Sequence, residues 1–124
     1  MTQQLKGKIH WVLDDFFYIG MVIPKKDTTA HIVARINNVI IDEHMIKFYV
    51  EPYEVRGEMW SYNVNLLINE NGTKYNGTFT EATEGDWAGE ISCELYSNAK
   101  RHLIYGRWTE DEVLYTFWAI IEKE

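Results

Sequence analysis

Strict alternation of apolar and polar residues constrains this chain more than any other feature of it. Trp60, Tyr62, Val64, Leu66 and Ile68 alternate with Ser61, Asn63, Asn65 and Asn69, and only Leu67 is off pattern. Trp87, Gly89, Ile91, Cys93 and Leu95 alternate in the same way with Ala88, Glu90, Ser92 and Glu94. A period of two is that of a strand with one face on a core and the other in water. Asn71-Gly72 follows the first run at once, and this dipeptide predicts a type I′ hairpin turn, after which Thr73, Tyr75, Gly77 and Phe79 run back.

Extended across the chain, the same reading predicts strands over Ile9–Leu13, Phe16–Ile23, Ala30–Ile41, Met45–Tyr53, Trp60–Asn69, Thr73–Glu81, Trp87–Tyr96, His102–Thr109 and Val113–Glu122. Joints such as Asp14-Asp15, Asp42-Glu43-His44 and Glu110-Asp111-Glu112 are too short for a helical crossover. Consecutive strands must therefore pair antiparallel, as a meander. One segment carries a second pattern: Leu5, Ile9, Val12, Leu13, Phe16 and Phe17 also match one face of a helix. Trp11 falls off that face and Gly7 weakens a helix, so the strand reading is preferred.

Composition agrees. Aromatic residues reach 15% of the 124 positions, and rings suit a pleated, half-buried surface. A chain of this length buries enough surface to fold as one domain, residues 1–124, without a staple. The single cysteine, Cys93, excludes an intrachain disulfide framework. The run from Phe16 to Ile23 is too short to span a bilayer or to act as a secretory signal, so a cytoplasmic location is expected. Asn71-Gly72-Thr73 and Asn76-Gly77-Thr78 match the glycosylation sequon and are read as turn chemistry.

The net charge of −7 is uneven. Residues 1–50 carry six Lys/Arg against five Asp/Glu, and residues 51–124 carry six against fourteen. Glu81, Glu84, Asp86, Glu90 and Glu94 fall in a stretch with no basic residue. Such a face repels phosphate backbones, so nucleic-acid binding is not expected, whereas a basic protein partner would be attracted.

An open meander leaves two unpaired edges, and closure into an up-and-down barrel removes both. In that layout the chain resembles the calycins, the lipocalin-like and avidin-like small β-barrels. Lipocalins carry Gly-x-Trp on the first strand; here Gly7 and Trp11 are four apart, and Arg107 or Arg101 would correspond to their arginine near the last strand. The resemblance implies a lipocalin-like barrel with an interior ligand cavity.

Reactive chemistry is hard to find. His10, His31, His44 and His102 lack the spacing of a metal site, and no metal or cofactor is expected. Cys93 shares a face with Ile91 and Leu95, where a thiol is buried and inert. No nucleophile elbow or phosphate loop appears, and no catalytic residue is assigned. The aromatic residues are the better lead. Trp60, Tyr62, Trp87, Trp108 and Trp118 would line a cavity for a small, mostly apolar ligand, with Arg35 and Arg107 meeting an anionic group if they point inward. The alternative is an acidic interaction module, of the inhibitor or immunity type, that uses the Glu81–Glu94 face.

Two further features stand out. Gly77-Thr78-Phe79-Thr80-Glu81 and Gly106-Arg107-Trp108-Thr109-Glu110 share the pattern Gly-x-aromatic-Thr-Glu, offset by 29 residues, as though two hairpins met the same crowding. The segment Val113–Glu122 is apolar on both faces, as is Phe16–Ile23. Either the two are neighbours or one lies in a homodimer interface.

Overall fold

The computed structural model describes residues 5–13, 31–55, 57–82, 88–110 and 113–123. They form β1 (Leu5–Leu13), β2 (His31–Ile41), β3 (Met45–Val55), β4 (Glu58–Ile68), β5 (Tyr75–Glu81), β6 (Ala88–Ser97), β7 (Arg101–Glu110) and β8 (Val113–Glu122). Each strand pairs antiparallel with the next, and β1 pairs with β8, so the meander closes into a barrel. No helix occurs among the described residues, and Leu5–Leu13 is a strand. There the period of two wins because Ile9 and Trp11 can both be buried in the barrel, which a helical twist would prevent. The expected strand at Phe16–Ile23 lies outside the described residues.

Closure works because the inward faces fill the barrel. Ile9 and Trp11 of β1 meet Ile36, Phe48, Val50, Val64, Phe79, Ile91, Ile104, Trp108, Phe117 and Ile121 in one buried cluster. Full burial of one such side chain contributes roughly 1.5–3 kcal/mol, so the interior dominates stability. The outward positions of β4, Asn63 and Asn65, stay exposed, as alternation requires.

Two irregularities shift the pattern. Asn38 takes a positive φ of 53° where the β2–β3 register slips between Asn37 and Ile40. On β3 the register slips between Val50 and Tyr53, around Pro52, which offers no amide to the ladder. Val50 pairs with Tyr62 and Tyr53 with Trp60, so β3 spends an extra residue there.

The β4–β5 connection corrects an expectation. Gly72 has a positive φ of 71°, but Asn71 does not share it, as a type I′ turn would require. The loop is wider. Asn69 donates its amide to the Lys74 carbonyl at 2.8 Å and accepts the Gly72 amide on its own carbonyl at 3.0 Å. Its side-chain oxygen also takes the Thr73 amide at 3.1 Å. The Asn69 side chain, rather than the Asn-Gly pair, organises the turn.

Candidate functional site

The meander sends the connections after β1, β3, β5 and β7 to one end of the barrel. At that rim the three terminal residues of each strand include Glu54, Glu58, Glu81, Glu90 and Glu110 and no Lys or Arg. The matching positions at the opposite rim include Lys6, Lys47 and Arg101 against Glu122 alone. Among the described strand ends this rim is therefore the more acidic one, and it also holds Trp11, Tyr53, Tyr62 and Tyr115.

Below this rim Trp108 is the hub of the interior. Its ring lies 4.2 Å from Phe79 in a stacked pair, and meets Trp11, Tyr62 and Phe117 edge-on at 5.2, 5.7 and 5.7 Å. Tyr53 packs on both Trp11 and Tyr62, at 5.4 and 6.2 Å between centroids. Offset and T-shaped contacts of this kind favour fixed ring positions. They form an apolar floor beneath the rim.

On that floor sits a hydrogen bond between β4 and β7. The Tyr62 hydroxyl donates to Glu110 Oε1 at 2.8 Å. Tyr53 packs its ring against Tyr62 beside this bond. Burial, above all, raises the pKa of both tyrosines, and the nearby Glu110 charge raises them further. Burial and Glu110 act in the same direction on Tyr115 of β8. All three phenols stay protonated at neutral pH, and Tyr62 donates to the Glu110 carboxylate.

Next to this bond one polar atom has no partner among the described residues. Trp11 is 3% exposed, and its indole Nε1 is buried without a hydrogen-bond acceptor among the described residues. Burying an unmatched donor costs on the order of 1–3 kcal/mol, which a ligand acceptor would return. Glu81, at 8% exposure, is buried at the same rim and pairs in register with Tyr62.

The residues singled out in the sequence do not all converge. Tyr62 and Trp108 are buried in the interior, and Trp60 is half-buried against its edge. Trp118 lies on the outer face of β8, where it stacks on His10 with centroids 5.0 Å apart and planes 6° from parallel. Arg35 and Arg107 are exposed on the outer surface, and Arg107 donates to the Thr116 hydroxyl. Inward placement fails for both because they alternate with inward neighbours, Ala34 and Ile36 on β2 and Gly106 and Trp108 on β7. Trp87, Glu84 and Asp86 lie outside the described residues. Glu81 points into the rim, whereas Glu90 is exposed and Glu94 half-buried on the outer face. The acidic stretch is thus divided between two surfaces.

Trp11, Tyr53, Glu110 and Tyr115 were not singled out by sequence. The signal for Glu110 was present, since it ends the second Gly-x-aromatic-Thr-Glu copy as Glu81 ends the first. Tyr53 is brought to the site by the Pro52 irregularity, which simple alternation cannot anticipate. Among the described residues no three His, Cys, Asp or Glu side chains gather as a metal-binding group.

No protein-family model matches the chain, and no curated protein does. A solved structure that does resemble it is a redesigned β-barrel, at a TM-score of 0.54 and 6% identity, covering 96% of this chain and 89% of that one. At that identity the likeness concerns the fold alone.

Proposed function

We propose that the protein is a small-molecule-binding barrel that holds a compact, mostly apolar cation at its acidic rim. The observation that carries this reading is the Trp11 indole N–H, without an acceptor among the described residues, beside the Tyr53 ring and the Tyr62–Glu110 hydrogen bond. The Trp108 floor is packed with rings, so the ligand sits at the rim rather than at the barrel centre. Trp11 would donate to an acceptor on the ligand. Glu110, held by Tyr62, would balance a protonated amine, and the ring faces would take its apolar body. An eight-stranded barrel that binds at one open end follows the calycin plan, and a lipocalin-like, non-enzymatic carrier or sensor is the form of the proposal.

Titration of tryptophan fluorescence with phenethylamine tests this, with the neutral phenethyl alcohol as the control. Saturable binding of the amine is expected, with the alcohol weaker by about tenfold or more, equivalent to roughly 1.4 kcal/mol. Trp11→Phe keeps a ring and removes the donor, and Glu110→Gln keeps the shape and removes the charge. Each should weaken the amine. Absence of binding by amine and alcohol alike at millimolar concentration would reject the reading.

The acidity of the rim favours a second reading, in which it docks a basic protein. Such a complex would weaken steeply with salt, whereas a ligand partly sheltered at the rim would respond less.

A further inference from the structure

Where β8, β1, β2 and β3 meet, the outer wall of the barrel is concave, and a groove of about 760 Å³ opens there. It lies where β2 and β3 both slip register, at Asn37–Ile40 and at Val50–Tyr53. Such irregularities bend strands and hollow a wall that is otherwise convex. The chain as a whole carries −7, yet Lys6, Lys8, Arg35 and Lys123 line this groove, together with the carboxylates of Glu51 and Glu122. Both carboxylates are held by other partners. Glu122 pairs with Arg101 at 3.0 Å, and Glu51 accepts a hydrogen bond from Asn37 Nδ2 at 3.1 Å. Among the described residues no ion pair reaches any of the four cations. Lys8 and Arg35 are moreover direct cross-strand partners, and like charges so placed repel.

We infer that this groove, on the outside of the barrel and independent of the acidic rim, binds the phosphate group of a small phosphate monoester. The dianion lies over the Lys8–Arg35 pair. There the planar Arg35 fork takes two phosphate oxygens, and the Lys8 ammonium supplies a point charge. Lys6 precedes Lys8 by two residues on the same face of β1, so it adds positive charge beside them. An anion between Lys8 and Arg35 replaces their repulsion with two attractions. Ile120 and the His10 ring, also in the groove wall, take the organic part of the ligand. A groove of this volume holds one small molecule. A carboxylate fits less well, since it brings half the charge to a pair of cations.

Calorimetric titration with phenyl phosphate at low ionic strength tests the site, with benzenesulfonate as the singly charged control on the same ring. Phenyl phosphate is expected to bind with a dissociation constant of roughly 0.1–1 mM, and benzenesulfonate about tenfold more weakly or worse. Lys8→Met and Arg35→Met keep an unbranched stem and remove the charge, and each should weaken phenyl phosphate about tenfold. Lys47→Met, on β3 outside the groove, and Trp11→Phe, at the rim, should leave it unchanged. Without ligand, Lys8→Met should raise the melting temperature by roughly 1–3 °C, because the repulsion is gone. No binding of phenyl phosphate at about 10 mM would overturn the inference, whether or not the protein pellets with vesicles containing phosphatidic acid. Benzenesulfonate binding equally well would overturn it too, as would a Lys8→Met protein that melts no higher than the wild type.

Discussion

The rings of Phe79 and Trp108 stack with centroids 4.2 Å apart and planes 19° from parallel. They come from β5 and β7, which are not neighbours in the barrel, so the stack crosses the interior rather than running along the sheet. Both are the aromatic member of a Gly-x-aromatic-Thr-Glu segment. The repeat thus places two rings in the same interior layer and two carboxylates, Glu81 and Glu110, at the same rim.

Replacing either ring should be costly and the two losses should be coupled. Phe79→Ala or Trp108→Ala is expected to cost about 3–5 kcal/mol by urea unfolding. The milder Phe79→Leu and Trp108→Leu pair should show a coupling of roughly 0.5–1.5 kcal/mol in a double-mutant cycle. Strict additivity would mean that the stack contributes nothing beyond burial.

The glycines of the two repeats are needed for space, not for backbone freedom. A Cβ on Gly77 would stand 2.0 Å from the Asn65 carbonyl oxygen, and one on Gly106 would stand 2.1 Å from that of Ser92. Gly77→Ala and Gly106→Ala must push strands apart, and should fall at the upper end of roughly 1–3 kcal/mol. Gly72, with φ at +71° and open space around it, has the opposite problem, and Gly72→Ala should cost nearer 1–2 kcal/mol. Thermal or urea unfolding of the three variants separates the two causes. Equal losses at all three would contradict the clash.

Strand placement was legible because alternation survives wherever one face is dry. The predicted ranges for Ala30–Ile41 and Val113–Glu122 differ from β2 and β8 by no more than one residue. The turn at Asn71-Gly72 was misread because the dipeptide is only permissive, and the Asn69 side chain gathers the neighbouring amides instead. The rim was legible in part. Tyr62 and Trp108 follow from alternation, but Tyr53 arrives through an irregularity at Pro52, and a Trp11 indole without an acceptor among the described residues is a fact of three-dimensional packing. Trp118 was grouped with the interior residues because β8 is apolar on both faces, and composition cannot say which face turns in.

Stability should decline on the alkaline side. Burial, and then the Glu94 charge, push the Cys93 thiol up to about 12 from an ordinary value of 9.0. Burial raises Tyr53 and Tyr62 above the usual 10.0 as well. A group whose folded pKa is raised favours the folded state below its unfolded pKa, and that contribution is lost as pH rises towards the folded value. For Cys93 the window runs from about 9 to about 12. Urea midpoints should therefore fall from pH 9 upward, and Cys93→Ala should make the slope shallower. At neutral pH Cys93 should react with a thiol reagent only as fast as the barrel unfolds; rapid labelling of the folded protein would contradict its burial.

The indole N–H resonances of the tryptophans offer the most direct test of the rim site. In a nitrogen-edited proton spectrum, added phenethylamine should shift the Trp11 Nε1–H signal saturably, and the same signal should be absent in Trp11→Phe. The Trp118 signal, from the outer face of β8, should stay in place. Movement of Trp118 with Trp11 unmoved, or uniform drift of every indole without saturation, would show that the orphaned donor is not where a ligand binds.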